Sequence, residues 1–215
     1  MDIASKIDHT YLKPSTTKKE VIKLCEEAKE YGFAAVCIPP YFVSTAKYHL
    51  EDSDVKVATV VGFPMGYSAI PTKVAEINRA LDEGVDELDI VVNVSAVKNG
   101  DWAHIKNEVS SVTRAAQLKG KIAKIILETG LLNKEEIKKL CKICSDSECD
   151  FVKTSTGFNT EGPDVRMIHY LRTNLADAVK IKASGGIRTK ADAQKFIKAG
   201  ADRIGTSSAV KIAKT

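Results

Sequence analysis

Asp150-Phe151-Val152-Lys153-Thr154-Ser155-Thr156-Gly157 places a lysine inside a short apolar run that ends at once in hydroxyls and a glycine. At the period of two of a β-strand, Phe151, Lys153 and Ser155 share one face, and Val152 and Thr154 share the other. An ammonium aimed into a packed interior is costly unless it is paired or gives up its proton. Such a lysine forms an ion pair, or offers its neutral amine as a nucleophile. Taken alone, the stretch reads more simply as a lysine snorkelling out at a strand end.

A second stretch changes that reading. In Val179-Lys180-Ile181-Lys182-Ala183-Ser184-Gly185-Gly186-Ile187-Arg188-Thr189, the residues Val179, Ile181 and Ala183 alternate with Lys180, Lys182 and Ser184. The strand breaks at Gly185-Gly186 and a helix is expected to begin near Thr189. Two lysines at the exit ends of consecutive strands approach each other inside a parallel barrel. Each positive charge then disfavours the other and burial acts in the same direction. An amine with a reference pKa of about 10.4 is expected to become partly neutral near pH 7.

Working outward, strand and helix patterns alternate along the chain. Strands are expected at Ile7–Leu12, Ala34–Ile38, Lys56–Pro64, Glu87–Val94, Ile122–Gly130, around Lys153, around Lys182 and at Arg203–Ser207. Helices are expected at Lys18–Tyr31, Val43–Leu50, from Pro71 to Gly84, Trp102–Leu118, Lys134–Cys144, Pro163–Leu171 and Lys190–Ala199, with a short terminal one. Eight continuous apolar strands with short connections predict an α/β fold, a parallel sheet covered by helices and closed as a (β/α)8 TIM barrel rather than opened as a doubly wound sheet. No GxGxxG follows the first strand, so the dinucleotide fold lacks its fingerprint. No composition shift divides the chain, which predicts one domain over residues 1–215.

Composition narrows the function classes. The 215 residues are 44% hydrophobic and 28% charged, with a net charge of +4. These are the proportions of a soluble globular protein. The lysines are spread along surface-helix patterns, which argues against nucleic acid and for an anionic small substrate. Met1-Asp2-Ile3-Ala4-Ser5-Lys6 holds no apolar leader and no run approaches membrane-spanning length, so a cytoplasmic protein is expected. The five cysteines are odd in number and unlike a disulfide framework. Cys141, Cys144 and Cys149 lack the further ligands a structural zinc takes, and are expected to be reduced, partly buried thiols.

In a barrel, working groups sit where strands exit into loops. The inward-facing polar residues at those exits are Asp8, Cys37, Asp89, Asn93, Lys124, Glu128, Lys153, Ser155, Lys182 and Ser184. Asp89, flanked by Leu88 and Ile90 on the opposite face, wants a cation, which Lys153 or Lys182 would supply; a purely structural ion pair accounts for the same pattern. Lys124 and Glu128 are expected to pair with each other in the barrel floor, and Lys180 to close its bottom. Ser184-Gly185-Gly186-Ile187 and Gly205-Thr206-Ser207-Ser208 each lead into a helix after the last two strands, where barrels hold phosphate on free backbone N–H groups. Arg188 would add charge there, or lie exposed on the surface.

These residues resemble a known family, deoxyribose-phosphate aldolase, a metal-free class I aldolase with a (β/α)8 barrel. The resemblance is carried by Ile7-Asp8-His9-Thr10, Ala35-Val36-Cys37, Glu87-Leu88-Asp89-Ile90-Val91, Leu127-Glu128-Thr129-Gly130, Phe151 to Phe158, Lys182 to Arg188 and Arg203 to Ser208, in family order over nearly the whole chain. It implies that Lys153 forms a Schiff base, that Lys182 lowers the pKa of Lys153, that Asp89 relays protons with an ordered water and that Asp8 orients Lys182. It implies further a substrate site including Cys37, Thr156, Gly185, Gly186, Gly205, Ser207 and Ser208, with a phosphorylated sugar and aldehydes as small-molecule partners, no cofactor, no nucleic acid and no membrane. A homo-oligomer, dimer or tetramer, is expected, with Tyr41, Phe42 and Tyr67 as candidate exposed contacts.

Two departures are expected to bear on rate and substrate tolerance rather than on reaction type. The sequence ends at Ala213-Lys214-Thr215 without the tail and terminal tyrosine that some members use in proton transfer, and Phe158 stands where some members carry a lysine. Two other functions fit the same groups: a Schiff-base aldolase for another sugar phosphate, and a barrel that binds sugar phosphates without turnover.

Overall fold

Period-two strands that are apolar on their outer face can bury it only under helices, and the computed structural model shows how eight of them do so. It describes residues 3–159 and 162–215, so Met1 and Asp2 of the N-terminal stretch lie outside the described residues. Strands β1 (Ile7–Thr10), β2 (Ala35–Ile38), β3 (Lys56–Val61), β4 (Glu87–Val91), β5 (Ile122–Ile126), β6 (Phe151–Lys153), β7 (Lys180–Ser184) and β8 (Arg203–Thr206) pair in chain order, all parallel. β8 returns to β1, with Asp8 beside Gly205, and closes the expected (β/α)8 barrel.

The outer layer is α1 (Lys18–Tyr31), α2 (Val43–His49), α3 (Ile70–Asp82), α4 (Val94–Lys98), α5 (Trp102–Gln117), α6 (Lys134–Asp146), α7 (Val165–Asn174), α8 (Lys190–Lys198) and α9 (Ala209–Lys214). Their starts follow local chemistry. Thr17 with Glu20, and Asn133 with Glu136, form reciprocal capping boxes at α1 and α6. Asp101, Asp164 and Thr189 accept backbone N–H groups at α5, α7 and α8, each cap worth about 1 kcal/mol. None of these helices is long and apolar enough to cross a membrane, among the described residues.

Boundaries differ from the sequence expectation where a side chain redirects the backbone. β4 stops at Val91 because Asn93 turns to accept the Ala96 N–H, capping α4, a helix the pattern does not predict. β5 stops at Ile126, and Glu128 adopts a left-handed conformation at φ 56°. α7 begins at Val165, after the Asp164 cap, and runs to Asn174.

The barrel interior is divided. On β2 and β3 it is walled by Ala35, Cys37, Ala58 and Val60, a small apolar cluster roofed by Leu12 and Phe63. Every other strand sends at least one charged residue inward. That division is what places the site: charge has to be met by charge in a space that water does not reach.

Candidate active site

Parallel register sets the charged residues side by side. Asp89 lies beside Lys124, Lys153 beside Lys182, and Lys182 beside Arg203. Asp89 Oδ2 accepts from Lys153 Nζ at 2.8 Å and from Lys182 Nζ at 2.7 Å, while its Oδ1 accepts from Lys124 Nζ at 2.9 Å. Lys124 also meets Glu87 Oε2 at 2.6 Å. Glu87 Oε2 lies 3.2 Å from Arg203 Nη2, and Arg203 Nε donates to Asp8 Oδ1 at 2.8 Å. Asp8 pairs in turn with Lys182. Asp8, Asp89, Lys124 and Lys182 are completely buried, and Lys153 very nearly so.

The electrostatics follow from those contacts. Burial would raise the Asp8 carboxyl, but Lys182, then Arg203, hold it down at about 2. Burial acts likewise on Asp89, and Lys124, Lys153 and Lys182 together hold it well below the usual carboxylate range. For Lys182, burial disfavours the charge, yet Asp8 and then Asp89 overcome it and push the ammonium above the ordinary lysine range. Lys124 is raised for the same reason, by Asp89 and Glu87. The expectation that burial and mutual repulsion would weaken the charge on both lysines is therefore corrected for Lys182. The two amines meet across a shared carboxylate, and the carboxylates decide the sign.

Above this network opens a cleft of about 480 Å³ at the C-terminal ends of the strands. Its lining includes Lys153, Thr156, Phe158, the Gly185-Gly186-Ile187-Arg188 loop and Gly205-Thr206-Ser207. Among the described residues, the fully or nearly buried lysines are Lys73, Lys124, Lys153 and Lys182, and of these Lys153 alone lines the cleft. Phe158 packs edge-on against Phe63, ring centroids 5.2 Å apart. It also borders a second, more apolar hollow of about 490 Å³ along Pro39, Phe42 and Val60.

The other sequence-derived residues fall into place unevenly. Cys37 lies within the barrel, Sγ 3.9 Å from Asp89 Oδ2, and burial followed by the Asp89 charge pushes its thiol up. Thr156 faces the cleft, but its N–H and hydroxyl go to Glu128, at 3.2 and 2.5 Å. Ser208 donates its N–H to Thr206 Oγ1 at 2.9 Å and stands outside the cleft lining. Gly205 serves space: a Cβ there would meet Lys182 Cε and Ser184 Cβ, each at 3.0 Å. Gly185, Gly186 and Ser207 line the cleft. Ser184 Oγ donates to the Ser155 carbonyl at 2.6 Å, tying β7 to the β6 exit.

Three further expectations are overturned. Lys124 and Glu128 do not pair: Lys124 binds Asp89 and Glu87, and Glu128 sits at the C-terminal rim, where Asn159 Nδ2 also donates to it at 3.0 Å. Asn93 caps a helix instead of facing the barrel. Phe42 is buried, whereas Tyr41 and Tyr67 are exposed. Cys141 and Cys144 are buried in α6; burial pushes Cys141 up to about 12, and a hydrogen bond with Cys149 raises Cys144.

Sequence reasoning passed over Glu87 and Arg203. Glu87 precedes Asp89 by two residues, so the same alternation puts it on the inward face, but it lies at the start of its strand, away from the exits where barrels place working groups. Lys73 left no such signal. This helical lysine is wholly buried, donating to the Gly66 and Val91 carbonyls and to Glu108, all at 2.6 Å. Its room comes from Gly62, where a Cβ would lie 2.8 Å from Lys73 Cε.

The same arrangement of strands recurs in known proteins. Residues 3–212 match the description of a DeoC/LacD family aldolase. The chain is 49% identical over 214 residues to a deoxyribose-phosphate aldolase of Thermococcus gammatolerans, covering 99% of this chain and 95% of that one. It is 50% identical over 213 residues to one from Thermoanaerobacter sp., covering 99% and 96%. The tetrameric deoxyribose phosphate aldolase from Aeropyrum pernix superposes with a TM-score of 0.92 at 36% identity, over 99% of this chain and 89% of that one. With agreement of this extent in both sequence and barrel, the chain belongs to the DeoC/LacD family of aldolases.

Proposed function

We propose that this enzyme reversibly cleaves 2-deoxy-D-ribose 5-phosphate to D-glyceraldehyde 3-phosphate and acetaldehyde, with Lys153 as the Schiff-base nucleophile. The observation that carries the reading is that Lys153, alone among the buried lysines of the described residues, opens onto the cleft. The substrate class is that of the named relatives.

In the cleavage direction the amine of Lys153 adds to C1 of the open-chain aldehyde. Loss of water gives an iminium, an electron sink for the bond to be broken. Removal of the C3 hydroxyl proton lets the C2–C3 electron pair flow into the iminium. Glyceraldehyde 3-phosphate leaves and an enamine stays on Lys153. Protonation at C2 and hydrolysis release acetaldehyde and the free amine. Asp89 is assigned the proton relay, working through water and through Lys153 because it lies beneath the cleft instead of lining it. Asp8 holds Lys182, and Lys182 holds Asp89. The phosphate is assigned to the backbone N–H groups at Gly185, Gly186 and Ser207, with Arg188 at the rim, so that binding energy remote from C1 orients the reacting carbon.

Residues 1–215 are taken to act as one barrel domain. A homo-oligomer is also proposed, by analogy with the tetrameric relative and with Tyr41 and Tyr67 as exposed surface; sedimentation at a single monomeric mass would exclude it.

Borohydride trapping tests the nucleophile. The protein is incubated with acetaldehyde, reduced, and mapped by peptide mass spectrometry. A single ethylated site at Lys153, protected by deoxyribose 5-phosphate, is expected. Scattered labelling of surface lysines would defeat the assignment.

A further inference from the structure

The interior charges form a pattern that no single pair reveals. Asp8 meets Arg203, Arg203 meets Glu87, Glu87 meets Lys124, Lys124 meets Asp89, Asp89 meets Lys182, and Lys182 returns to Asp8. Three carboxylates alternate with three cations in a closed ring, and with every member ionised the ring is neutral. Lys153 stands outside it. Its ionic partner among the described residues is Asp89, and the oxygen it uses, Oδ2, is the one Lys182 also uses.

We infer that Glu87, Lys124 and Arg203 are positioning residues: by completing a neutral ring that includes Asp89, they leave Lys153 as the one interior cation, among the described residues, with no carboxylate of its own, and so select it for release as the free amine. This rests on the reading of Lys153 as the nucleophile. An isolated Asp89–Lys153 pair would do the opposite, since a buried carboxylate with one cation clamps that cation's proton in place. The positive charges of Lys124 and Lys182 offset the Asp89 field at Lys153 and so weaken its hold on that one ammonium. The ring also engages both Asp89 oxygens, which fixes the carboxylate plane relative to Lys153.

Each strand's contribution to this environment is accounted for among the described residues. β1 supplies Asp8, β2 the Cys37 thiol, β4 Glu87 and Asp89, β5 Lys124, β7 Lys182 and β8 Arg203. β3 offers Ala58 and Val60, and its titratable residue, Lys56, is exposed at the N-terminal end of the strand. Glu128, at the β5 exit, is turned to Thr156 and Asn159. Lys180, at the other end of β7, lies over the Phe151 ring at 5.6 Å.

The ring predicts shifts of opposite sign from the two sides of one salt bridge. The readout is the rate of acetaldehyde–borohydride labelling at Lys153 as a function of pH. Glu87→Gln leaves the ring with an excess positive charge, and the half-maximum is expected to move to lower pH by up to about one unit, the low end of what a single nearby charge does. Lys124→Met leaves an excess negative charge, and the half-maximum is expected to move to higher pH by a similar amount. The double variant restores neutrality and is expected to return close to the parent profile. Arg203→Met is expected to act with the sign of Lys124→Met, and carries that arm if Lys124→Met does not fold. A structural role alone would lower labelling in both single variants without opposed shifts, and that result, or no shift at all, overturns the inference. Absence of Lys153 labelling in the parent chain at any pH would instead defeat the nucleophile assignment, and this inference with it.

Discussion

Lys153 and Lys182, neighbours in register on adjacent strands, donate to the same oxygen, Asp89 Oδ2, at 2.8 and 2.7 Å. Removing Lys182 hands that oxygen to Lys153 alone and deletes a nearby positive charge, and both changes favour the protonated form of the proposed nucleophile. Lys182→Leu is therefore expected to move the acid limb of the pH–rate profile to higher pH, with a loss of kcat at neutral pH of roughly tenfold or more. An acid limb that stays in place would remove Lys182 from its assigned role.

Lys153→Ala takes away the amine while leaving the neutral ring of charges intact. Turnover is expected to fall at least about a thousandfold, and the circular dichroism spectrum and cooperative melting of the parent are expected to persist. Retained turnover in the purified variant would contradict the Schiff-base reading.

Gly205 gives Lys182 its space. Alanine there would place a methyl 3.0 Å from both Lys182 Cε and Ser184 Cβ. The lysine stem can yield, but the β7 backbone carrying Ser184 cannot do so freely, and overpacking of this kind costs about 1–3 kcal/mol. Gly205→Ala is expected to lower the denaturation midpoint and to reduce kcat more than it raises KM, because the displaced group belongs to the lysine–carboxylate network. Steady-state kinetics beside urea unfolding would separate the two effects.

Stability is expected to fall in acid for a specific reason. Asp8 is held at about 2 against an ordinary value of 3.8, so the unfolded chain takes up the proton more readily than the folded one. The stabilisation from this group is complete above the ordinary value and is lost as pH falls through 4 towards 2, an amount of roughly 2 kcal/mol. Asp89, also depressed, acts in the same sense. Urea titrations across that range are expected to show a shallower pH slope for Asp8→Asn than for the parent; an unchanged slope would deny Asp8 its charge pairing.

Lys73 makes a contrasting case of a buried lysine with no opening to the cleft. Lys73→Met strands Glu108 without its cation and is expected to cost about 3–5 kcal/mol of stability. Pairing it with Glu108→Gln is expected to recover part of that loss, measured by chemical denaturation. In the trapping experiment Lys73 is expected to stay unlabelled, since its amine is enclosed by two carbonyls and a carboxylate.

The particular residues show where local pattern suffices. Alternation in Leu88-Asp89-Ile90, Val152-Lys153-Thr154 and Ile181-Lys182-Ala183 is a property of each strand by itself, and it put those three charged groups on inward faces before any strand was paired with another. Repetition of the unit eight times did the rest, because apolar outer faces demand helices and parallel strands so covered close into a barrel. The helix starts at Thr17 and Asn133 were local in the same way.

Partnership was not local. Asp8 and Arg203 are separated by 195 positions and meet only because β8 closes on β1. With Lys153 alone for company, Lys182 is a repulsive neighbour; Asp8 and Asp89, delivered by β1 and β4, reverse the sign of its shift. Lys124 faced a choice between Glu128 on its own strand's exit and Glu87 and Asp89 on the preceding strand, and register chose the latter. The sequence by itself determined which side chains point inward, since that depends on a two-residue backbone period. Which charge meets which was decided by the tertiary structure, since Coulomb interactions depend on distances that exist only once the barrel is closed.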